Sequence, residues 1–180
     1  MKHTLILLLL TAATALAAGD DAGWSKPVKG LRARLLVLPA EKAPPFCRIF
    51  IEFENVDEIA GQKKIRFNPG KLALRVSNND GKELALANGV YDGMSPLWET
   101  IALPHAGSMK FQISFPGLGY SAKDKVIIDV GAQKSWVIPQ DGSIYYLSGS
   151  LTIVKEKSDH PYMDWSGTLE LPKVEIPKAK

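Results

Sequence analysis

From Leu31 onward, apolar residues fall at every second position through a series of short runs, and that period buries one side of a strand, not one side of a helix. Leu31, Ala33, Leu35 and Val37 share a face with Arg32 and Arg34 opposite, and Cys47, Ile49, Ile51 and Phe53 face away from Arg48, Glu52 and Glu54. Both read as half-buried strands. The same reading covers 72–77, 83–86, 97–103, 109–115, 125–130, 135–138, 144–154 and 165–171, the last running on towards Ile176. Residues 65–67 add a weaker run, and Asp57–Gly61 has room for one helical turn. No window of twelve residues beyond the N-terminus carries helical spacing.

The connections hold turn residues. Asn78-Asn79-Asp80-Gly81 tolerates positive φ between two apolar runs and reads as a hairpin, and Pro139-Gln140-Asp141-Gly142 reads as a second turn. Ser148-Gly149-Ser150, inside a strand pattern, marks a bulge or tight packing. Pro172 and Pro177 lack backbone donors, so the last strand lies at an edge or breaks there. About nine strands with no helices to cover a parallel sheet predict an all-β fold, an antiparallel two-sheet β-sandwich. It would occupy 30–177, after a flexible segment 18–29 and before a short tail 178–180.

Asp141-Gly142-Ser143-Ile144-Tyr145 places an acid and a glycine just before a tyrosine that opens a long strand. This resembles the tyrosine corner of immunoglobulin-like domains, in which the hydroxyl bonds backbone upstream. Leu147 stands where a disulfide-bonded member of that group has cysteine, so the resemblance is to disulfide-free immunoglobulin-like or fibronectin-type modules, at the level of strand pattern. It implies a fold and no activity.

The N-terminus carries a different signal. Lys2 and His3 precede an apolar run from Leu5 to Leu10 and a small-residue stretch ending Ala15-Leu16-Ala17, the three-part build of a secretory signal peptide. Cleavage is expected after Ala17, because the apolar stretch falls well short of the roughly 20 residues that span a bilayer. The mature chain is expected to be secreted or periplasmic, without a membrane span.

Loss of residues 1–17 removes one formal charge, Lys2, and lowers the net charge from +3 to +2. The remaining Lys and Arg are interspersed with Asp and Glu. A nucleic-acid binder concentrates its cations to neutralise several phosphates at once, so that class is set aside. Cys47 is the only cysteine, which excludes an intramolecular disulfide, and its place in an alternating run marks a buried structural thiol.

Catalysis finds little to work with. Nucleophilic hydrolysis needs a Ser or Cys beside an oriented His, and beyond the leader only His105 and His160 are available, with no G-x-S-x-G. His160 with Asp159, Met163 and Asp164, and His105 with Met109, would suit copper by ligand softness, but a metal site needs three or four converging ligands, and solvated loop histidines are the plainer reading. Glu52 and Glu54 share one strand face and so stand side by side on the solvent face, not across a cleft. No enzyme activity, metal or cofactor is expected. Tyr91, Trp98, Tyr120, Tyr162 and Trp165 lie in or beside loops and form the candidate binding surface, since planar rings stack on sugars and anchor protein partners. The competing assignment for Trp165, at a strand start, is core. The expectation is a non-catalytic secreted domain that binds a protein partner or serves a structural role in the envelope; the alternatives are a carbohydrate-binding module or a periplasmic metal-handling protein.

Overall fold

The computed structural model describes residues 23–39, 47–58, 61–87, 99–114, 125–130, 134–155 and 165–178. These form ten strands: β1 (Leu31–Pro39), β2 (Cys47–Asn55), β3 (Lys63–Phe67), β4 (Leu72–Asn78), β5 (Glu99–Leu103), β6 (Ser108–Gln112), β7 (Lys125–Val130), β8 (Lys134–Pro139), β9 (Tyr145–Ile153) and β10 (Gly167–Glu175). One 3-10 turn, Pro69–Lys71, is capped by the Asn68 side chain, which accepts from the Gly70 amide. Among the described residues no helix is long and apolar enough to cross a membrane.

Every ladder is antiparallel, and they group as β1-β2-β6, β10-β9-β4, β3-β5 and β7-β8. Four hydrogen-bonded sheets are thus seen among the described residues where the alternation alone implied two. The longest register runs from Leu31 opposite Asn55 to Pro39 opposite Cys47, and it is fixed by the pattern. A slip of one residue would turn Arg32, Arg34, Glu52 and Glu54 inward.

The inward side chains make one core. Leu31, Ala33, Ile49, Ile51, Phe53, Ile65, Leu72, Leu103, Leu147 and Leu151 are fully buried, and burial of a side chain of Leu, Ile or Phe size is favourable by roughly 1.5 to 3 kcal/mol. Phe53, Phe67 and Phe111 join three strands of two sheets: the Phe53 and Phe67 rings meet edge to face at 5.3 Å, and Phe111 lies 6.2 and 5.9 Å from them. Asn55, also fully buried, accepts from the Asp57 amide through Oδ1, while its Nδ2 lies within reach of the carbonyls of Gly61, Leu103 and Pro104. A polar group so placed is stable only because each atom has a partner.

Several expectations meet a different outcome. Residues 83–86 do not form a ladder: after the Asn78–Gly81 turn, Ser77 bridges Glu83 and the Leu84 amide donates to Val76, but β4 takes β9 as its strand partner. The weak run 65–67 is the C-terminal part of a true strand, β3, paired with β5. Residues 23–29, expected to be a flexible lead-in, are tied to the body. Ser25 exchanges hydrogen bonds with Ala33, and Lys29-Gly30, both at positive φ, close a two-residue hairpin between Val28 and Leu31. Gly30 is required there twice over, by its φ of +71° and because a Cβ would lie 2.8 Å from Asp57.

Pro172 sits where the edge strand β10 loses register, between Leu171 and Val174, and Pro177 follows its end. Gly149 is tight packing, since a Cβ there would fall 2.4 Å from the Ala73 carbonyl oxygen. Tyr145 is buried, but its hydroxyl donates to the Asp141 carboxylate at 3.1 Å, a side chain four residues upstream instead of the backbone of a tyrosine corner. Asp57–Gly61 as a helical turn lies partly outside the described residues.

Candidate functional site

Alternation that sends Leu72, Val76, Leu147, Leu151 and Leu169 into the core sends their neighbours to the other face of the β10-β9-β4 sheet. Those neighbours include Arg75, Ser77, Ser148, Thr168 and Glu170. Short hydroxyl side chains along the middle of a sheet leave a depression, and longer residues raise its rim. Arg75 and Glu83 stand on one side, Glu170 and Lys173 on the other, and Trp24, Ser25 and Lys26 from the lead-in close one end. The groove has a volume of about 810 Å³, within the roughly 300 to 1,000 Å³ span of small-molecule sites.

Each part has a local cause. Glu83 is brought to the rim by the Asn78–Gly81 turn, in which Asn78 Oδ1 accepts from the Asp80 and Lys82 amides and Gly81 takes φ +81°. Lys173 is raised by the register break at Pro172. Trp24 is held by the lead-in hairpin, by the Trp165 indole donating to the Val28 carbonyl at 2.8 Å and by Lys29 Nζ donating to the Ser166 carbonyl at 2.9 Å. Its ring lies over Arg32 and Arg34, 4.7 and 4.3 Å from their guanidinium carbons. Because those arginines are two apart on one strand face, the indole rests across both.

The floor keeps hydrogen-bonding capacity in reserve. Arg75 Nε donates to Ser148 Oγ at 3.3 Å, which leaves the Ser148 proton to be donated onward. Ser77 is 7% exposed and lines the groove beside Ser148. Arg75 and Glu83 approach only to 3.8 Å and are each 60% exposed, so water or another polar group can come between them. The rim carries both signs of charge, Lys26, Arg75 and Lys173 against Glu83 and Glu170.

Of the aromatic residues singled out by sequence, Tyr91, Trp98, Tyr120 and Tyr162 lie outside the described residues. Trp165 is 3% exposed, with its indole nitrogen bonded to Val28, so it is a core ring that supports the groove from beneath its end wall and does not face a ligand. Trp24 is the aromatic that sequence reasoning passed over. Its signal was Lys29-Gly30 just ahead of Leu31, a turn dipeptide that folds the preceding residues back onto β1.

His105 is exposed in the turn before β6, beside Ala106 at φ +55°, and Met109 on β6 is 41% exposed. His160, Asp159, Met163 and Asp164 lie outside the described residues, and among the described residues no three His, Cys, Asp or Glu side chains converge as metal ligands. Cys47, expected to be buried, is only half-buried at the start of β2, and that partial burial raises its thiol above the usual range and keeps it protonated at neutral pH. Glu52 and Glu54 stand side by side on the outer face, bound to Arg34 and Arg32. No family model, curated protein or solved structure matches the chain.

Proposed function

We propose that this protein is an exported, non-catalytic binding domain, an immunoglobulin-like sandwich in its finer architecture, and that the outer groove of the β10-β9-β4 sheet is its binding site. One observation carries the reading: a groove of about 810 Å³ on the outer face of this sheet is lined by the short hydroxyl residues Ser77, Ser148 and Thr168 and rimmed by Arg75 and Glu83, which approach only to 3.8 Å and are each 60% exposed. Hydroxyls and loosely paired charges that face a cavity can turn their hydrogen bonds from water to whatever enters it. The antiparallel ladders over one core support the sandwich, and the basic, apolar and small-residue N-terminus supports export. The functional groups present bind and orient; the charged side chains of the rim act as hydrogen-bonding groups.

A photoreactive residue tests the site. Glu170→p-benzoylphenylalanine, irradiated in the native envelope, is expected to trap a component that Lys110→p-benzoylphenylalanine, on the outer face of β6, does not. Equal capture from the two positions would remove the groove from the account. Export is checked by N-terminal sequencing of the processed chain, expected to begin at Ala18.

A further inference from the structure

We infer that the groove takes a neutral saccharide, with the Trp24 indole packed on a sugar ring and Arg75, Glu83, Ser77 and Ser148 hydrogen-bonding its hydroxyls; this deepens, and rests on, the binding reading above. The lining selects for it by exclusion and by fit.

A polyanion such as a phosphorylated or sulfated ligand is held by a concentration of cations, whereas here Glu83 and Glu170 are interspersed with the three cations and the rim offers no single-signed field. An apolar ligand would strip water from five charged side chains and from the Ser77 hydroxyl without replacing their hydrogen bonds. An extended peptide is recognised most strongly by backbone pairing at a free strand edge. The floor of this groove is a sheet face, and β9 at its centre already has β4 and β10 on its two sides.

A saccharide hydroxyl both donates and accepts, so it suits a surface that offers both. Arg75 supplies a fork of donors, Glu83 supplies acceptors, and the pair at 3.8 Å is open enough for a hydroxyl to bridge it. Ser77 and Ser148 add hydroxyls at the bottom. Trp24 supplies the remaining element, an apolar plane for the C–H face of the ring, already fixed by Arg32 and Arg34 on β1 and so ordered before the ligand arrives.

The test is an array of neutral and acidic oligosaccharides probed with the protein purified from an exporting host, followed by titration calorimetry with the neutral oligosaccharide bound best. Trp24→Ala and Arg75→Ala are each expected to weaken binding about tenfold or more, with Trp24→Phe recovering most of the loss and Lys110→Ala leaving affinity unchanged. Circular dichroism and a urea melt confirm that the variants fold. If only acidic oligosaccharides bind, or if a neutral one binds equally well to folded Trp24→Ala, the inference falls. If no oligosaccharide binds while the residue at position 170 still captures an envelope component in preference to position 110, the saccharide is wrong and the binding site stands; loss of both removes both.

Discussion

The outer faces of two sheets in this molecule are built from the same alternation and end in opposite states. On β1-β2-β6 the outward side chains satisfy one another: Arg32 Nε lies 2.6 Å from Glu54, Arg34 Nε 2.7 Å from Glu52, and Lys110 sits 5.4 Å from the Phe50 ring centre. The paired side chains are 16 to 27% exposed. On β10-β9-β4 the outward positions Ser77, Ser148 and Thr168 carry short hydroxyls among Arg75, Tyr146 and Glu170, and the nearest ion pair is stretched and 60% exposed at each end. Long opposed charges close a sheet face, whereas short hydroxyls leave it open. Sheet geometry alone does not decide which face is free to bind; side-chain length and pairing do.

Four variants would break or sharpen this contrast. Gly149→Val should have the largest effect on folding, since its side chain collides with the Ala73 carbonyl and the Leu74 side chain; a loss of about 1 to 3 kcal/mol is expected from the urea midpoint. Arg75→Ala should separate function from stability. Its exposed pair contributes less than about 0.5 kcal/mol to folding, yet its loss should weaken saccharide binding about tenfold by calorimetry. Glu54→Ala should do the reverse, lowering stability by about 0.5 to 1 kcal/mol, and the difference from the parent should shrink as ionic strength rises.

Tyr145→Phe is expected to cost about 0.5 to 1 kcal/mol at neutral pH. The Ser143 amide, followed by the hydroxyl contacts of Ser143 and Tyr145, holds the Asp141 carboxyl below its usual range, so it is charged over most of the pH scale. A depressed carboxyl contributes stability above its unfolded value and loses it as pH falls through its folded value. The gap between Tyr145→Phe and the parent should therefore persist at pH 7 and close on acidification below about pH 4, read by thermal melts across that range.

Much of the strand plan was legible. β1, β2, β4 and β9 follow from period two, and Pro172 marks an edge because a proline cannot donate to a ladder. Other parts needed pairing information that local pattern does not hold. Lys63–Phe67 is short and rich in charge, and only its ladder with β5 makes it a strand. Residues 83–86 alternate well enough, but they meet the outer edge of β4 only at the Ser77–Glu83 bridge, β9 lying along its other edge. For the site, Trp165 was misleading because a tryptophan at a strand start looks the same whether it is buried or exposed. Trp24 lay in a polar stretch with no alternation, and the Lys29-Gly30 hairpin that positions it is a two-residue signal.

That hairpin makes the end wall of the groove depend on Trp24, Ser25 and Lys26, which lie ahead of the first strand. A chain cut just past Trp24 would keep all ten strands and lose the aromatic of that wall, so the site can be tested by trimming as well as by substitution. For anyone producing it, purification handles belong at the carboxyl terminus.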